Sequence, residues 1–296
     1  MKLKRATTLE EFAALPPLIT KEGYAAGLAL QLQPTDVVIT PYAKSGTTWM
    51  QQLVHTLRTG GDMDFDDISR VVPWIEASTD LGLDLNAAQR AHPRAFKSHL
   101  AWDDMPRGGR YINVVRDPGD AAVSAFKFME GWFIEPGTVD MDTFVQQRFC
   151  ATRNYFKHLA SWWPRRHDED VLFLAFEHML DRPQSAIEQV AAFIEIPLDD
   201  DLLALAIEYT HVDFMLEYKD RFDDALMRTR SEQDLGLPPG GDSAKVRRGK
   251  SGEKQTLSQA TRQLILDIWA EEIATPFGLN TYTDMLTTLA SEAAAR

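Results

Sequence analysis

Cysteine is nearly absent from this chain of 296 residues, which holds only Cys150. A single cysteine excludes an internal disulfide and is typical of a reducing cytoplasm. We therefore predict a cytoplasmic protein in which Cys150 is a small buried hydrophobic residue. No stretch of the sequence supplies the roughly eighteen apolar residues that a membrane span requires. The N-terminus has basic residues but no apolar core, so we expect no signal peptide.

Positive charge is also scarce, because 31 lysines and arginines stand against 44 acidic residues, giving a formal net charge of −13. Broad nucleic-acid binding needs a basic surface, so this composition argues against it. An anionic ligand would then depend on a local basic pocket. The hydrophobic content of 44% and the charged content of 25% are ordinary for a globular protein.

Apolar runs and helical patterns alternate along the chain. Short apolar runs predict buried strands at 37–40, 95–98, 111–115 and 171–176. Helical patterns lie at 50–58, 144–163, 183–194, 199–219 and 257–273. This alternation predicts an α/β fold, a parallel sheet flanked by helices, with ligands at the carboxyl ends of the strands. We expect a single domain over 1–296, with an irregular, mobile lid at 220–245.

An anion cradle follows the first predicted strand. Residues 40–49 read Thr-Pro-Tyr-Ala-Lys-Ser-Gly-Thr-Thr-Trp and lead into a helical pattern. Backbone N–H groups at such a turn, the helix dipole and the charge of Lys44 all favour a bound anion, and Thr47 and Thr48 add hydroxyls. The order is not that of a Walker A loop, because Lys44 precedes Gly46. These residues alone also fit a plain strand-to-helix turn with an exposed lysine.

Chemically useful side chains also end the second and third predicted strands. His99 follows Lys97 by two residues, and a neutral imidazole is well suited to take a hydroxyl proton near pH 7. Arg116 ends the third strand, and Ser124 follows eight residues later. A guanidinium and a hydroxyl suit a phosphate, although Arg116 could instead pair with Asp117 to cap the next helix.

A basic stretch follows the predicted lid and reads Val-Arg-Arg-Gly-Lys-Ser-Gly at 246–252. Three cations among small residues indicate an anion clamp, and a solvated basic turn is the alternative.

Together, these four motifs resemble those of the cytosolic sulfotransferase family, in the same order. The loop resembles the family's Tyr-Pro-Lys-Ser-Gly-Thr-Thr-Trp, with Ala43 in place of the proline. The stretch that ends at His99 resembles its Lys-Thr-His-Leu, with Ser98 in place of the threonine. The family's Arg-Asp-Pro…Ser pattern is kept, and its Arg-Lys-Gly segment is matched with Arg248 in place of the lysine. Phe176 stands where the family commonly has tyrosine.

The resemblance implies a sulfotransferase that moves a sulfuryl group from 3′-phosphoadenosine 5′-phosphosulfate (PAPS) to an acceptor hydroxyl. It implies that His99 is the catalytic base, that Lys97 and Lys44 neutralise charge, and that Ser124 restrains Lys44. The product would be adenosine 3′,5′-bisphosphate (PAP), and no metal is expected. The residues implied to bind the cofactor are Lys44, Ser45, Gly46, Thr47, Thr48, Trp49, Arg116, Ser124, Thr210, Arg247, Arg248 and Gly249.

Two other functions are compatible with parts of this pattern. A P-loop kinase would be sensitive to EDTA, but the Walker A order is missing. A non-catalytic protein on the same scaffold would bind the nucleotide without turnover. The expected partner is a small-molecule or lipid-linked hydroxyl acceptor: a phenol, an alcohol or a glycolipid. Its pocket could use the aromatic residues after Ser124, unless these pack in the core: Phe126, Phe128, Trp132 and Phe133.

Overall fold

The structure is a computed structural model that describes residues 4–239, 245–247 and 249–295. Its centre is a four-stranded parallel sheet in the order β2-β1-β3-β4. The strands are β1 (Val37–Ile39), β2 (Ala95–Lys97), β3 (Arg110–Val115) and β4 (Val171–Ala175). The predicted α/β fold is confirmed, and each strand differs from its predicted range by one residue at one end.

Helices surround this sheet. They are α1 (Leu9–Ala13), α2 (Lys21–Leu28), α3 (Thr47–Thr59), α4 (Ile68–Val71), α5 (Pro118–Met129), α6 (Met141–Phe144), α7 (Asn154–Trp162), α8 (Phe176–Asp181), α9 (Pro183–Phe193), α10 (Asp200–Thr210), α11 (Val212–Glu217), α12 (Ala225–Asp234), α13 (Gln259–Trp269), α14 (Thr275–Phe277) and α15 (Tyr282–Ala295). Short 3₁₀ turns lie at Trp102–Asp104, Trp163–Arg165, Lys219–Phe222 and Glu253–Thr256, and π-helical turns at Val145–Cys150 and Ala270–Ala274.

The core has two halves because side chains alternate between the two faces of each strand. Val38 joins a cluster that contains Phe96, Tyr111 and Trp162. Its neighbours Val37 and Ile39 join the cluster on the other face. Burial on both faces explains why the strands read as continuous apolar runs rather than alternating ones.

The sequence predicted one helix over 144–163, but the structure divides this range. A π-helical turn occupies Val145–Cys150, and Arg153 then adopts a left-handed conformation with φ 55° before α7 begins. Tertiary contacts hold this break, because the Arg153 guanidinium pairs with Glu271 and Glu272 at 2.6 and 2.8 Å. The pattern at 199–219 is likewise divided at His211, whose backbone is extended.

The prediction that 220–245 is irregular is wrong for helix α12. This helix has little apolar character of its own, and contacts with distant parts of the chain hold it in place. Arg230 donates to the carbonyl oxygen of Leu18 at 2.9 Å, and the Trp132 indole donates to Ser231 at 3.0 Å. The rest of the predicted lid includes residues 240–244, which lie outside the described residues.

None of the helices in the described part of the chain has the length and apolar character needed to cross a bilayer. The last helix, α15, continues as far as Ala295.

Candidate active site

The loop after β1 has a backbone shape that suits an anion. Lys44 and Gly46 adopt positive φ angles of 70° and 97°. A Cβ atom at position 46 would lie 2.8 Å from the ring of Phe176, so only glycine fits beneath the loop. No side chain caps the start of α3, which leaves its first N–H groups facing the cavity.

Two hydroxyl groups in this loop are buried without a protein partner. Ser45 Oγ and Thr47 Oγ1 have no hydrogen-bond partner among the residues that the structure describes. Buried polar groups are normally satisfied by protein, water or a ligand, so these two hydroxyls are candidates to donate to a ligand. Phosphate or sulfate oxygens accept hydrogen bonds, and they therefore fit these donors.

A cavity of about 450 Å³ opens beside this loop and brings most of the predicted site together. Ser45 lies fully buried beneath the loop, outside the cavity lining. Arg248 lies outside the described residues. The predicted residues that line the cavity are Lys44, Gly46, Thr47, Thr48, Trp49, Lys97, His99, Arg116, Ser124, Thr210, Arg247 and Gly249.

The orientation of His99 is set by its neighbours. Its Nδ1 lies 2.7 Å from the carbonyl oxygen of Pro41. A carbonyl oxygen only accepts, so Nδ1 carries the hydrogen and Nε2 keeps a free lone pair. The backbone N–H of His99 donates to the carboxylate of Glu76 at 2.7 Å. Burial, together with the charge of Lys97, lowers the pKa of His99 to about 3, so the imidazole is neutral at pH 7.

Lys44 and Lys97 lie against aromatic rings in the cavity. Lys44 Nζ is 4.2 Å from the ring centre of Phe128, and Lys97 Nζ is 4.2 Å from that of Trp74. Burial, and next the charge of Lys245, lowers the pKa of Lys44 to about 7 and that of Lys97 to about 8. Both ammonium groups can therefore lose their protons in the neutral to mildly alkaline range.

Asp224 and Lys245 complete this charge cluster, and the sequence analysis missed both. The Asp224 carboxylate is buried, pairs with Lys245 and lies 3.9 Å from Lys97 Nζ. Burial acts to raise the pKa of Asp224, but the charges of Lys245 and Lys97 outweigh it and lower the pKa to about 2. Both residues lie in the segment that the sequence assigned to a lid, where no local signal points towards the cavity.

Arg116 joins the loop to the basic stretch. Its guanidinium donates to the carbonyl oxygens of Lys44 at 3.0 Å and Lys250 at 3.3 Å, and lies 4.7 Å from the ring centre of Phe176. Its Nε is buried without a partner among the described residues. The guanidinium thus retains one donor for a ligand at the edge of the cavity.

The alternative role, in which Arg116 pairs with Asp117 to cap the next helix, is correct for the cap and wrong for the pair. Asp117 does cap α5, because its carboxylate accepts from the N–H groups of Gly119 and Asp120. Its ion-pair partner, however, is Lys254 at 2.6 Å. That contact gives Lys254 a structural role at the start of α5.

In the basic stretch, Arg247 lines the cavity but is held by an acid. Its Nη1 donates to Glu253 at 2.6 Å, and Lys127 binds the same carboxylate at 2.9 Å. The hydrogen bond from Arg247 is the main reason that the pKa of Glu253 is lowered to about 2. Gly249 has a φ of 55°, and a Cβ there would lie 3.0 Å from Val212.

The remaining predicted residues differ in whether their side chains are free to contact a ligand. Ser124 faces the cavity from α5, and no hydrogen bond joins its hydroxyl to Lys44 in the described structure. The Thr210 hydroxyl donates to Ala206 within its own helix at 2.6 Å. Trp49 is half-buried and lines the cavity.

Of the four aromatic residues suggested for the acceptor pocket, only Phe128 lines the cavity. Phe126 packs in the core, whereas Trp132 and Phe133 stack on each other at 4.7 Å outside the cavity lining. Other aromatic residues take their place, and sequence spacing gave no signal for them: Phe12, Phe144 and Phe149.

This fold and site define an α/β protein in which a loop suited to an anion lies beside a neutral histidine and two lysines. The sulfotransferase domain model matches residues 34–270, so the chain belongs to the sulfotransferase family. Mouse sulfotransferase 1B1 is 30% identical over 203 residues, covering 63% of this chain and 67% of the relative. Rat sulfotransferase 1C2 is 27% identical over 232 residues, covering 73% and 78%.

Solved structures show the same fold. Retinol dehydratase in complex with retinol and PAP has a TM-score of 0.67 at 20% identity, covering 86% of this chain and 88% of its own. Mouse sulfotransferase SULT7A1 complexed with PAP also has a TM-score of 0.67 at 20% identity, covering 88% and 92%. The chain is therefore a sulfotransferase, a transferase that uses PAPS to sulfate an acceptor hydroxyl, as the sequence predicted.

Proposed function

We propose that His99 is the general base of this transfer and takes the proton of the acceptor hydroxyl through Nε2. The observation that carries the proposal is the contact of Nδ1 with Pro41, which leaves Nε2 as the acceptor in the same cavity as Lys44 and Lys97. A neutral base with a fixed tautomer suits this task at pH 7.

We assign PAPS to the part of the cavity beside the loop after β1. When bound, PAPS supplies the sulfuryl group. The loop hydroxyls of Ser45 and Thr47, the N–H groups at the start of α3 and the charge of Lys44 would hold the 5′-phosphosulfate. Lys97 would neutralise charge on the transferring group, since its ammonium lies in the same buried cluster.

The 3′-phosphate is assigned to Arg116, Ser124 and the basic stretch. Arg116 keeps a free Nε and holds the backbone of that stretch through Lys250. Arg247 would exchange Glu253 for the phosphate, with Arg248 and Gly249 beside it. Trp49 and Thr210 would contact the adenine. The sulfuryl group and the 3′-phosphate would then meet separate basic elements of an acidic protein.

For the acceptor, we propose a small molecule whose apolar body lies against the aromatic residues of the cavity, with its hydroxyl facing His99. These residues continue from Phe128, beside Lys44, to Phe144 and Phe149. The whole chain would act as one domain, with 220–245 as its lid. The single buried thiol, whose pKa burial raises to about 11, suits a cytoplasmic enzyme.

The test is turnover by the purified protein. Labelled PAPS is incubated with the protein and either a panel of phenols and alcohols or a cell extract, and the products are analysed by mass spectrometry. A labelled acceptor and release of PAP are expected, with no loss on addition of EDTA. Tight PAP binding with no labelled product from any acceptor would favour the non-catalytic alternative, and loss of activity with EDTA would favour the kinase.

A further inference from the structure

One cation in the cavity, Arg148, has no role in the chemistry described above. It lies on the π-helical turn Val145–Cys150, directly after α6. In an α-helix, Phe144 and Phe149 would point in clearly different directions. The wider i→i+5 turn lets Phe144, Arg148 and Phe149 line the same cavity. Such turns occur frequently at functional sites.

Arg148 lies in an apolar part of the cavity. We call this part the aromatic arm, defined by Phe12, Phe128, Met129, Phe144 and Phe149. The ring centre of Phe128 lies 4.2 Å from Lys44 Nζ. The guanidinium of Arg148 lies 5.2 Å from the ring centre of Phe12, which itself packs against Phe144. The arm therefore joins the transfer centre to a second positive charge.

This second charge forms no ion pair within the described part of the chain. The Arg148 guanidinium is exposed and makes no hydrogen bond or ion pair with the residues that the structure describes. The arginines near it in the sequence and in the cavity differ, because Arg153 pairs with Glu271 and Arg247 pairs with Glu253. In a protein of net charge −13, an unpaired cation at the end of an apolar arm is suited to a ligand anion.

We propose that the acceptor is a hydroxyl compound with an apolar, aromatic body and a carboxylate or similar anion at the end opposite the reacting hydroxyl. Arg148 binds that anion and determines specificity, while the aromatic arm holds the body and His99 faces the hydroxyl. This inference rests on the proposed function and adds the substrate class. A neutral phenol would fill the arm but leave Arg148 without a partner.

The experiment compares matched acceptors with the full-length enzyme and PAPS. 4-Ethylphenol is the neutral acceptor, and a series of ω-(4-hydroxyphenyl)alkanoates of increasing chain length supplies the carboxylate at different distances. We expect kcat/KM to be roughly twofold to fivefold higher for the best carboxylate than for 4-ethylphenol, the range for an exposed ion pair. The preference should shrink at high salt, because ions screen an exposed pair.

Three variants isolate the charge. Arg148→Met keeps much of the side-chain length and should abolish the carboxylate preference through KM, with 4-ethylphenol kinetics and PAP affinity unchanged. Arg148→Lys should retain part of the preference. The matched control is Arg107→Met, since Arg107 is also an exposed arginine stacked on a ring, 3.6 Å from the centre of Trp102 but outside this cavity.

The outcomes distinguish a failure of this inference from a failure of the proposed function on which it rests. Turnover of phenols with no preference for any carboxylate, or an equal loss for both acceptors in Arg148→Met, would overturn the inference and leave the sulfotransferase activity intact. If the enzyme turns over none of the acceptors, the proposed catalytic roles are overturned, and this inference falls with them.

Discussion

His99 Nδ1 donates a hydrogen bond to the carbonyl oxygen of Pro41 at 2.7 Å. Pro41 belongs to the same short segment that forms the anion cradle around Lys44. The loop that would hold the donor phosphosulfate therefore also fixes the tautomer of the base. Under the proposed roles, donor binding and proton transfer would share one piece of backbone, at the neighbouring ends of the paired strands β1 and β2.

The first prediction concerns the base. His99→Ala should lower kcat by roughly a hundredfold or more, because general-base catalysis is lost. The affinity for PAP, measured by calorimetry, should be nearly unchanged. His167→Ala is the control, since His167 is exposed and does not line the cavity. Near-normal turnover of His99→Ala would remove this residue from the mechanism.

The second prediction concerns pH. In the free enzyme the pKa of Lys44 is about 7 and that of Lys97 about 8, and the proposed roles require both lysines in the charged form. Since a lysine loses its charge as pH rises through its pKa, kcat/KM for PAPS should fall between about pH 7 and 8.5. His99 should give no acid limb above pH 5, because its pKa lies near 3.

A variant of Lys44 tests the assignment of that alkaline limb. Lys44→Arg keeps the positive charge at every pH in this range, so the remaining limb should follow Lys97 alone and move to higher pH. A pH profile identical to wild type would mean that Lys44 does not control donor capture.

The third prediction concerns the 3′-phosphate. Wild type should bind PAP far more tightly than 5′-AMP, and Arg116→Ala should remove most of that difference. A charge-assisted contact is worth about 1.5–3 kcal/mol, so PAP affinity should fall roughly tenfold to a hundredfold. Calorimetry with both ligands measures this, and Arg116→Lys shows how much depends on charge alone. Equal affinities of the wild-type protein for PAP and 5′-AMP would show that the protein does not recognise the 3′-phosphate.

The fourth prediction concerns the buried carboxylate. Asp224→Asn should lower the free energy of unfolding by about 2–4 kcal/mol, because Lys97 and Lys245 lose their buried counter-ion. Deprotonation of these lysines limits the loss. Urea denaturation measures it, and Asp220→Asn, an exposed change in the same segment, should stay within about 0.5 kcal/mol of wild type. Equal stability of the two variants would contradict a structural ion pair.

The fifth prediction concerns the lid. Amide hydrogen exchange across 220–239, the part of the predicted lid before residue 240, should be fast without ligand and slower once PAP and an acceptor are bound, since lids close over bound ligands. The exchange of α3 provides an internal reference, because that helix is buried along most of its length. Unchanged exchange in the 220–239 segment on ligand binding would argue against a moving lid.

The sequence by itself determined the sheet and the location of the known motifs. Strands buried on both faces are short, continuous apolar runs, which can be recognised locally. The carboxyl ends of parallel strands meet at one edge of the sheet. The sequence therefore predicts that Lys44, His99 and Arg116 lie together.

Only the tertiary structure decided which side chains surround these motifs. Asp224 and Lys245 reach the cavity from a segment with no local pattern, and the break at Arg153 depends on acids more than a hundred residues later. The π-helical turn that brings Arg148 into the cavity has no spacing that distinguishes it from an α-helix. Periodicity reports only on residues that are close together in the sequence. Charge pairing and burial depend on partners that only folding brings into contact.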